Sequence, residues 1–305
     1  MGVFAATDVE DDRAADPEAL LVFTLEVARR DPRLFDEVLD WLRVNERLVS
    51  VQRLRNLCVG VEDRELVEAS LRWVSQYRKN PRFDERQLGD HRPPHALFGG
   101  STSGPWRRDP YFEQLGLVRP VAVASRKSSR PDVTRPINFA FRARLAFGVG
   151  SRAEILRYLL TAPEFEVNAQ LVAEVVGFAK RNVSEALDAL AEAGLLRRSA
   201  LANERRYLID KTAWIGLLGG DPIPRYREWP QLLRAIRRIV RWLDEPSLGE
   251  RSDSMRASAA RDLMEEIEGD LGFAGVPVLG KTLPGARYWD GFSQTVEAAL
   301  RALRT

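Results

Sequence analysis

The sequence predicts a mainly α-helical fold in which an N-terminal helical bundle and C-terminal helices flank a central pair of short helices followed by a small β-hairpin. Apolar residues recur with helical spacing in residues 16–79 and again in residues 219–305. In the centre, Gly177 and Gly194 end two short amphipathic segments, and two basic segments suited to strands follow. With 305 residues and 45% hydrophobic content, the chain is long enough to bury a core.

The N-terminal region begins with residues 1–15, whose acidic composition and lack of apolar periodicity predict a flexible tail. Asp16 before Pro17 and Asp31 before Pro32 each give the pattern that begins a helix. Apolar stripes predict four helices in residues 16–79, which we interpret as a compact bundle. No catalytic pattern is visible there, so we expect the bundle to serve dimerisation or the binding of a protein partner.

Residues 80–137 are rich in Pro, Gly and Ser, which predicts a basic linker. The two histidines of the chain, His91 and His95, lie in it, but the two prolines between them prevent the helix that an i, i+4 metal pair needs. We therefore expect no metal and no cofactor. The scarcity of histidine also removes the usual general base of nucleophilic catalysis, which predicts that the protein is not an enzyme.

Positive charge is concentrated between residues 119 and 152, although the net charge of the whole chain is only +2. This stretch contains one acidic residue, Asp132. It contains eight basic residues: Arg119, Arg126, Lys127, Arg130, Arg135, Arg142, Arg144 and Arg152. Two interpretations fit equally well. The stretch is either an arm that follows DNA phosphates or a solvated linker that crosses an acidic surface of the same protein.

The central region contains three predicted helices and a hairpin. The first helix begins at Ser151, because Ser151 and Glu154 have the spacing of a capping box. The second begins after Asn168, a good N-cap, and ends at Gly177, and the third covers residues 180–193. The apolar faces of the second and third helices are formed by Leu171, Val172, Val175, Val176, Val183, Leu187 and Leu190. LLRRS and RRYLI then predict two short strands joined at residues 200–204.

The third helix runs into Ala193-Gly194-Leu195-Leu196-Arg197-Arg198, and a basic hairpin follows it. This arrangement resembles the winged helix-turn-helix of bacterial MarR, ArsR and GntR regulators. The resemblance covers about residues 138–214, in a domain expected at residues 138–218. It implies a homodimeric transcriptional regulator of double-stranded DNA, with the third helix in the major groove and the hairpin wing on the backbone or minor groove. The DNA-binding residues that it implies are Lys180, Arg181, Asn182, Ser184, Arg197, Arg198, Arg205, Arg206 and Arg152.

The charge of the third helix supports a second interpretation. Its N-cap position is Ala179, which offers neither a side-chain cap nor a hydroxyl for a phosphate. The helix carries two cations against three anions, and Glu185 stands four residues after Arg181, at the spacing of an ion pair. A nearly neutral helix favours a non-catalytic protein-interaction adaptor that uses the winged helix and the helical bundle as contact surfaces.

Three more helices are predicted in residues 219–305. The first, Pro230–Leu243, has an apolar stripe with arginines mostly opposite it: Arg234, Arg237, Arg238 and Arg241. Such a face suits a membrane surface or a nucleic acid, but a solvated charged face is the commoner explanation and the one we favour. The other two helices, at Leu263–Leu271 and Phe292–Leu303, are suited to extending the domain or forming a dimer interface.

Residues 275–282 match the pattern G-x-x-x-x-G-K-[ST] of nucleotide-binding P-loops. An acidic helical stretch precedes them where a P-loop needs a strand, and Pro277 removes one backbone donor. Leu283-Pro284-Gly285 would also interrupt any helix that started at Lys281. We interpret the segment as a connecting loop and retain a P-loop nucleotide-binding protein as a remote alternative.

Composition favours a cytoplasmic protein without a membrane partner. A single cysteine, Cys58, cannot form an internal disulfide and is predicted to be a small core residue. No apolar run reaches the ~18 residues that a membrane-spanning helix needs, and the acidic N-terminus differs from a signal peptide. Charged residues make up 30% of the chain, which is typical of a soluble protein.

Overall fold

The computed structural model describes residues 12–77, 93–201, 204–217, 223–281 and 283–303. It is mainly helical, as predicted, and the described strands form two small two-stranded sheets. The chain divides into two compact units, the first ending at Arg227 and the second beginning at Glu228. None of the helices in the described ranges is both long and apolar enough to cross a membrane.

Four helices open the first unit, and both predicted Asp–Pro helix starts are confirmed. The helices are α1 (Pro17–Val27), α2 (Pro32–Asn45), α3 (Val51–Asn56) and α4 (Gly60–Ser75). The Asp16 carboxylate accepts the N–H of Ala19 at 3.1 Å, and Asp31 caps α2 in the same way. Cys58 is buried, as predicted, because it follows the apolar stripe of α3. The shared core includes Leu25, Phe35, Leu39, Leu42 and Trp73.

Two predicted features of this unit differ in the structure. Ala14 and Ala15, assigned to the flexible tail, are buried, and the N–H of Ala15 donates to the carbonyl of Ile137 at 2.9 Å. The described part of the predicted linker packs into the core through Leu97 and Phe112, because a few well-spaced apolar residues suffice to anchor a Pro- and Gly-rich segment. Its elements are β1 (His95–Ala96), α5 (Pro110–Glu113) and β2 (Leu117–Val118), and β1 pairs with β2 in parallel. His91 lies outside the described residues.

The central region of the first unit contains the predicted helices and hairpin. Its elements are α6 (Phe139–Phe147), α7 (Ser151–Thr161), α8 (Ala169–Val176), α9 (Lys180–Glu192), β3 (Arg197–Leu201), β4 (Glu204–Leu208) and α10 (Lys211–Leu217). Asn168 caps α8 by accepting the N–H of Leu171, and Gly177 ends it with a left-handed φ of 72°. Strands β3 and β4 are antiparallel. Val167, before α8, also pairs with Tyr207 of β4, an additional bridge that the sequence pattern did not reveal.

The predicted capping box at the start of α7 is wrong. Helix α7 does begin at Ser151, but its N-cap is Gly150 and no side chain caps it. Glu154 is instead fully buried and accepts hydrogen bonds from Arg144 and Arg157. The carboxylate turns inward because buried arginines stabilise it more than a backbone N–H at the exposed helix start would.

The second unit contains α11 (Trp229–Leu243), α12 (Asp253–Phe273) and α13 (Tyr288–Ala302). The interpretation of the arginine face of α11 as a solvated charged face is wrong for two of its arginines. Arg234 donates through Nε to Asp270 of α12 at 2.7 Å, and Arg238 donates to Glu266 of the same helix. Two arginines of the basic face of α11 are thus paired with the acidic face of α12.

The segment that matches a P-loop connects α12 to α13, as predicted. It follows a helix that ends at Phe273, and the next helix begins only at Tyr288. Gly280 lies so close to Gly291 of α13 that a Cβ on Gly280 would stand 2.6 Å from the Gly291 Cα. Packing against α13 therefore accounts for the second glycine of the motif, and Lys281 pairs with Glu268 at 2.6 Å. Thr282 lies outside the described residues.

Candidate nucleic-acid interface

Helix α9 displays the residues that the sequence predicted for its outer face. Val183, Leu187 and Leu190 are buried, so the opposite side of the helix faces solvent. Lys180 and Asn182 are exposed, and Ser184 is half-buried. The side chain of Arg181 is 87% exposed. Ala179 stands at the N-cap without a side-chain hydrogen bond, as expected.

The predicted pairing on α9 is present. Arg181 donates through Nε to the Glu185 carboxylate at 2.9 Å, one helical turn further along. Both side chains are largely exposed, so water and salt screen the pair. The contact is therefore easily exchanged for another anion.

Asp188 joins α9 to the hairpin through a group that we call the Asp188 network, formed by Asp188, Arg198, Arg205 and Tyr207. The carboxylate of Asp188 accepts from Arg205 Nη1 at 2.7 Å, from Tyr207 Oη at 2.9 Å and from Arg198 Nη1 at 3.2 Å. Burial raises the pKa of Asp188, but the hydrogen bonds from Tyr207 and Arg198 outweigh it, and the pKa lies below its usual value. Asp188 therefore remains charged and holds both strands against α9.

The strand spacing in the sequence contains a signal for the Asp188 network. Residues at i and i+2 of a strand share a face, so Arg205 and Tyr207 point the same way. The register places Arg198 directly opposite Tyr207. These three side chains therefore occupy one face of the hairpin, and α9 supplies the nearest carboxylate.

The remaining hairpin residues are paired elsewhere. Arg197 lies 3.6 Å from the Asp210 carboxylate, and Arg206 pairs with Glu204 at 3.2 Å. The structure thus divides the four hairpin arginines between two faces, with Arg198 and Arg205 toward α9.

Arg152 lies near the N-terminal half of α9. Together with Asn182 and Glu185 it lines a shallow cavity of about 390 Å³. The loop of residues 148–150 forms another wall. Arg152 is exposed, so its guanidinium is accessible beside Asn182, another residue of the predicted interface.

A second group of charges, which the sequence did not predict, lies beneath this region. The buried charge cluster consists of Asp16, Glu18, Arg53, Arg144, Glu154 and Arg157, and none of these side chains is more than 1% exposed. Arg144 donates to Glu18 and to Glu154, each at 2.6 Å. Burial raises the pKa of Glu154, but the charges of Arg144 and Arg157 outweigh it, so the pKa lies well below its usual value.

The buried charge cluster reaches the turn between α8 and α9. Arg53 donates through Nη1 to Asp16 at 2.5 Å and through Nε to the carbonyl of Val176, the last residue of α8, at 2.6 Å. Asn56 donates to the carbonyl of Gly177 at 3.0 Å. Helix α3 therefore satisfies two carbonyls that the end of α8 leaves without helical partners.

The basic stretch of residues 119–152 is neither wholly an arm nor wholly a solvated linker. Arg119 is buried between the rings of Phe98, Phe112 and Phe35, at 5.0–5.5 Å from their centroids, and it donates to Asp36. Arg142 donates to the carbonyl of Val133 at 2.8 Å. Arg144 belongs to the buried charge cluster. These three cations stabilise the protein itself.

Comparisons with known proteins do not identify this site: no family model matches the chain, and neither a curated protein nor a solved structure is significantly similar to it. Within the described ranges, no group of three or more His, Cys, Asp and Glu side chains is arranged to hold a metal ion.

Proposed function

We propose that residues 138–214 form a winged helix-turn-helix and that the protein binds double-stranded DNA as a homodimeric transcriptional regulator. The observation that carries the proposal is the order of elements: α7, the Val167 bridge, the capped helix α8, the turn at Gly177, α9 and the β3–β4 hairpin. In winged helices the second helix of such a pair enters the major groove and the hairpin lies beside it. The accessible cations on α9 and the hairpin suit contacts with phosphates.

Specific residues are available for each contact. Lys180, Arg181, Asn182 and Ser184 lie on the N-terminal half of α9, the part of a recognition helix that approaches base edges. Arg198 and Arg205 each give only Nη1 to Asp188, so their remaining N–H groups can donate to a phosphate. Arg152 lies beside α9 and suits a backbone contact. Arg197 and Arg206 lie on the other face of the hairpin and suit a more peripheral contact.

The proposal is tested by measuring the affinity of the purified chain for random-sequence duplex DNA at about 50 and 200 mM salt. We expect micromolar binding that weakens steeply with salt. Arg181→Ala combined with Arg205→Ala should reduce the slope of log K against log salt by up to about 1.8, since each lost phosphate contact accounts for about 0.9. Asp188 keeps Arg198 and Tyr207 as partners in this variant, so the hairpin is expected to remain in place.

The matched control is Arg33→Ala combined with Arg64→Ala. These two arginines are exposed on α2 and α4, and their removal changes the net charge by the same amount. An equal loss of slope in both variants would show that only the total charge matters. The absence of binding by the unaltered chain at low salt would contradict the DNA-binding proposal.

One observation favours the adaptor as a second candidate. All five residues of β3 are exposed, and Leu201 at its end is 60% exposed. Leu195, two residues before the strand begins, is 38% exposed. Exposed leucines beside paired charges are more typical of a protein contact than of a phosphate contact. Under this alternative the chain would show no salt-dependent DNA binding, and Leu195→Ser with Leu201→Ser would weaken the association with a protein partner.

A further inference from the structure

One short segment carries exposed basic side chains that form no ion pair within the described part of the protein. The 125–130 turn, Ser125-Arg126-Lys127-Ser128-Ser129-Arg130, contains three basic residues, and all three are exposed. In the ranges that the structure describes, no ion pair is formed by Arg126, Lys127 or Arg130. The arginines of the hairpin differ, because each of them pairs with a carboxylate.

The backbone of the 125–130 turn is held firmly against α2. Asp40, a fully buried residue of α2, accepts from Ser125 Oγ at 3.1 Å and from the N–H of Ser128 at 3.3 Å. Asn45 donates to the carbonyl of Ser129 at 3.0 Å. These contacts fix the turn at Ser125, Ser128 and Ser129, while its three basic side chains are exposed.

Arg126 has a backbone conformation that arginine seldom adopts. Its φ is 59°, and no other non-glycine residue in the described ranges has a positive φ. Such a conformation is strained in a residue other than glycine, and strained residues of this kind concentrate at binding sites. Glycine would adopt it without strain, so the presence of an exposed arginine at the tip indicates a use for its side chain.

We propose that the 125–130 turn binds the sugar-phosphate backbone of DNA, as a second contact that is independent of base sequence. The proposal rests on the DNA-binding function proposed above and adds a site outside the winged helix. Guanidinium and ammonium groups that form no ion pair can meet a phosphate without first breaking an existing contact, and the backbone that carries them is already ordered. The turn has no helix or strand to place in a groove, so its contacts are limited to the backbone.

The test compares the unaltered full chain with the triple variant Arg126→Gly, Lys127→Gln and Arg130→Gln. Glycine suits the φ at position 126, and no buried side chain is changed, so the fold should be retained. We expect the salt slope for random-sequence duplex DNA to fall by about 2 to 3, since three phosphate contacts account for about 0.9 each. Because the contacts are independent of sequence, unrelated duplexes should lose affinity by the same factor.

The control variant removes the same charge at Arg33, Arg47 and Arg64, which are exposed on or next to the N-terminal helices, by substitution to Gln. An equal loss in the control would overturn the proposal. DNA binding with an unchanged slope in the triple variant would overturn it while leaving the DNA-binding function standing. Failure of the unaltered chain to bind DNA would overturn both.

Two further measurements complete the test. If the triple variant unfolds, as judged by circular dichroism, Lys127→Gln alone should lower the slope by about 0.9, and an unchanged slope would again overturn the proposal. Vesicles of phosphatidylserine and phosphatidylcholine separate DNA from a membrane surface. Loss of vesicle binding with unchanged DNA binding would assign the turn to lipid headgroups and overturn the proposal.

Discussion

The buried charge cluster and the Asp188 network join the same chemical groups, guanidinium and carboxylate, in opposite surroundings. In the cluster, three arginines and three carboxylates are at most 1% exposed and compensate one another's charge. In the Asp188 network, the side chains of Arg198 and Arg205 are 46% and 63% exposed, and that of Asp188 is 21% exposed. Only the exposed arginines can exchange their partner for a ligand.

This difference determines what each group contributes. Charges in the cluster have lost their hydration, so each depends on its partners, and removal of one member leaves another uncompensated. Charges in the Asp188 network keep much of their hydration, and salt screens them. The cluster is therefore expected to hold α1, α3, α6 and α7 together, whereas the network only orients the hairpin against α9.

The largest change in the free energy of unfolding should come from a substitution at the centre of the buried charge cluster. Glu154→Ala removes a carboxylate that accepts from both Arg144 and Arg157. Arg157 then retains the 3.2 Å contact with Asp16 and its position over the Tyr226 ring. We expect the free energy of unfolding, measured with urea, to fall by about 3–5 kcal/mol.

Glu192→Ala is the matched control for this prediction. Glu192 is an exposed glutamate at the end of α9, and its replacement should leave the free energy of unfolding unchanged within error. A loss below about 1 kcal/mol for Glu154→Ala would show that the surrounding residues compensate for the missing charge.

The pH dependence of stability distinguishes the two groups further. The pKa values of Asp16 and Glu154 are lowered in the folded state, so both stay ionised where the unfolded chain binds a proton. Their stabilising contribution is complete above the usual values of 3.8 and 4.5 and is lost as the pH falls below them toward the lowered folded values. Each group changes the free energy of unfolding by up to about 1.4 kcal/mol per pH unit in that range.

Glu154→Gln tests this dependence with little change in size. We expect the free energy of unfolding to fall less in the variant than in the unaltered protein between about pH 5 and pH 3. The variant lacks the carboxyl group whose pKa is lowered in the fold. The difference should persist at high salt, since the cluster is buried and poorly screened. An identical pH slope in the two proteins would show that folding does not lower the pKa of Glu154.

Local rules predicted much of the fold because the interacting residues are close in sequence. The caps at Asp16 and Asn168 and the left-handed Gly177 each depend on a few neighbouring residues. The exposed side of α9 followed from its apolar period, and the Arg181–Glu185 pair from its spacing. These are contacts that one helical turn determines.

The cluster could not be predicted in this way, because its members come from four helices. Arg144 and Glu18 are 126 positions apart, and no periodicity relates them. Local rules place Glu154 in a capping box and Arg144 in a basic stretch that is either a DNA-binding arm or a solvated linker. Arg119 belongs to the same stretch, although three phenylalanine rings surround it. The number of arginines in a stretch thus says little about charge available to a ligand.

The smallest change in the free energy of unfolding is expected from a substitution of Asp188. Asp188→Asn keeps the side-chain size and one carbonyl acceptor but removes the charge that attracts Arg198 and Arg205. Because these arginines are about half exposed, we expect the free energy of unfolding to fall by no more than about 1 kcal/mol. The loss should shrink as salt is raised, unlike that of the Glu154 variants.

The same substitution separates the two roles available to Asp188. If the Asp188 network exchanges its carboxylate for a DNA phosphate, Asp188→Asn should raise the affinity for random-sequence DNA at low salt, because it removes an anion that competes for both arginines. If the carboxylate instead holds the hairpin in its binding position, the affinity should fall although the positive charge has increased. A fall in affinity would mean that the exposed network, like the buried cluster, acts mainly by fixing geometry.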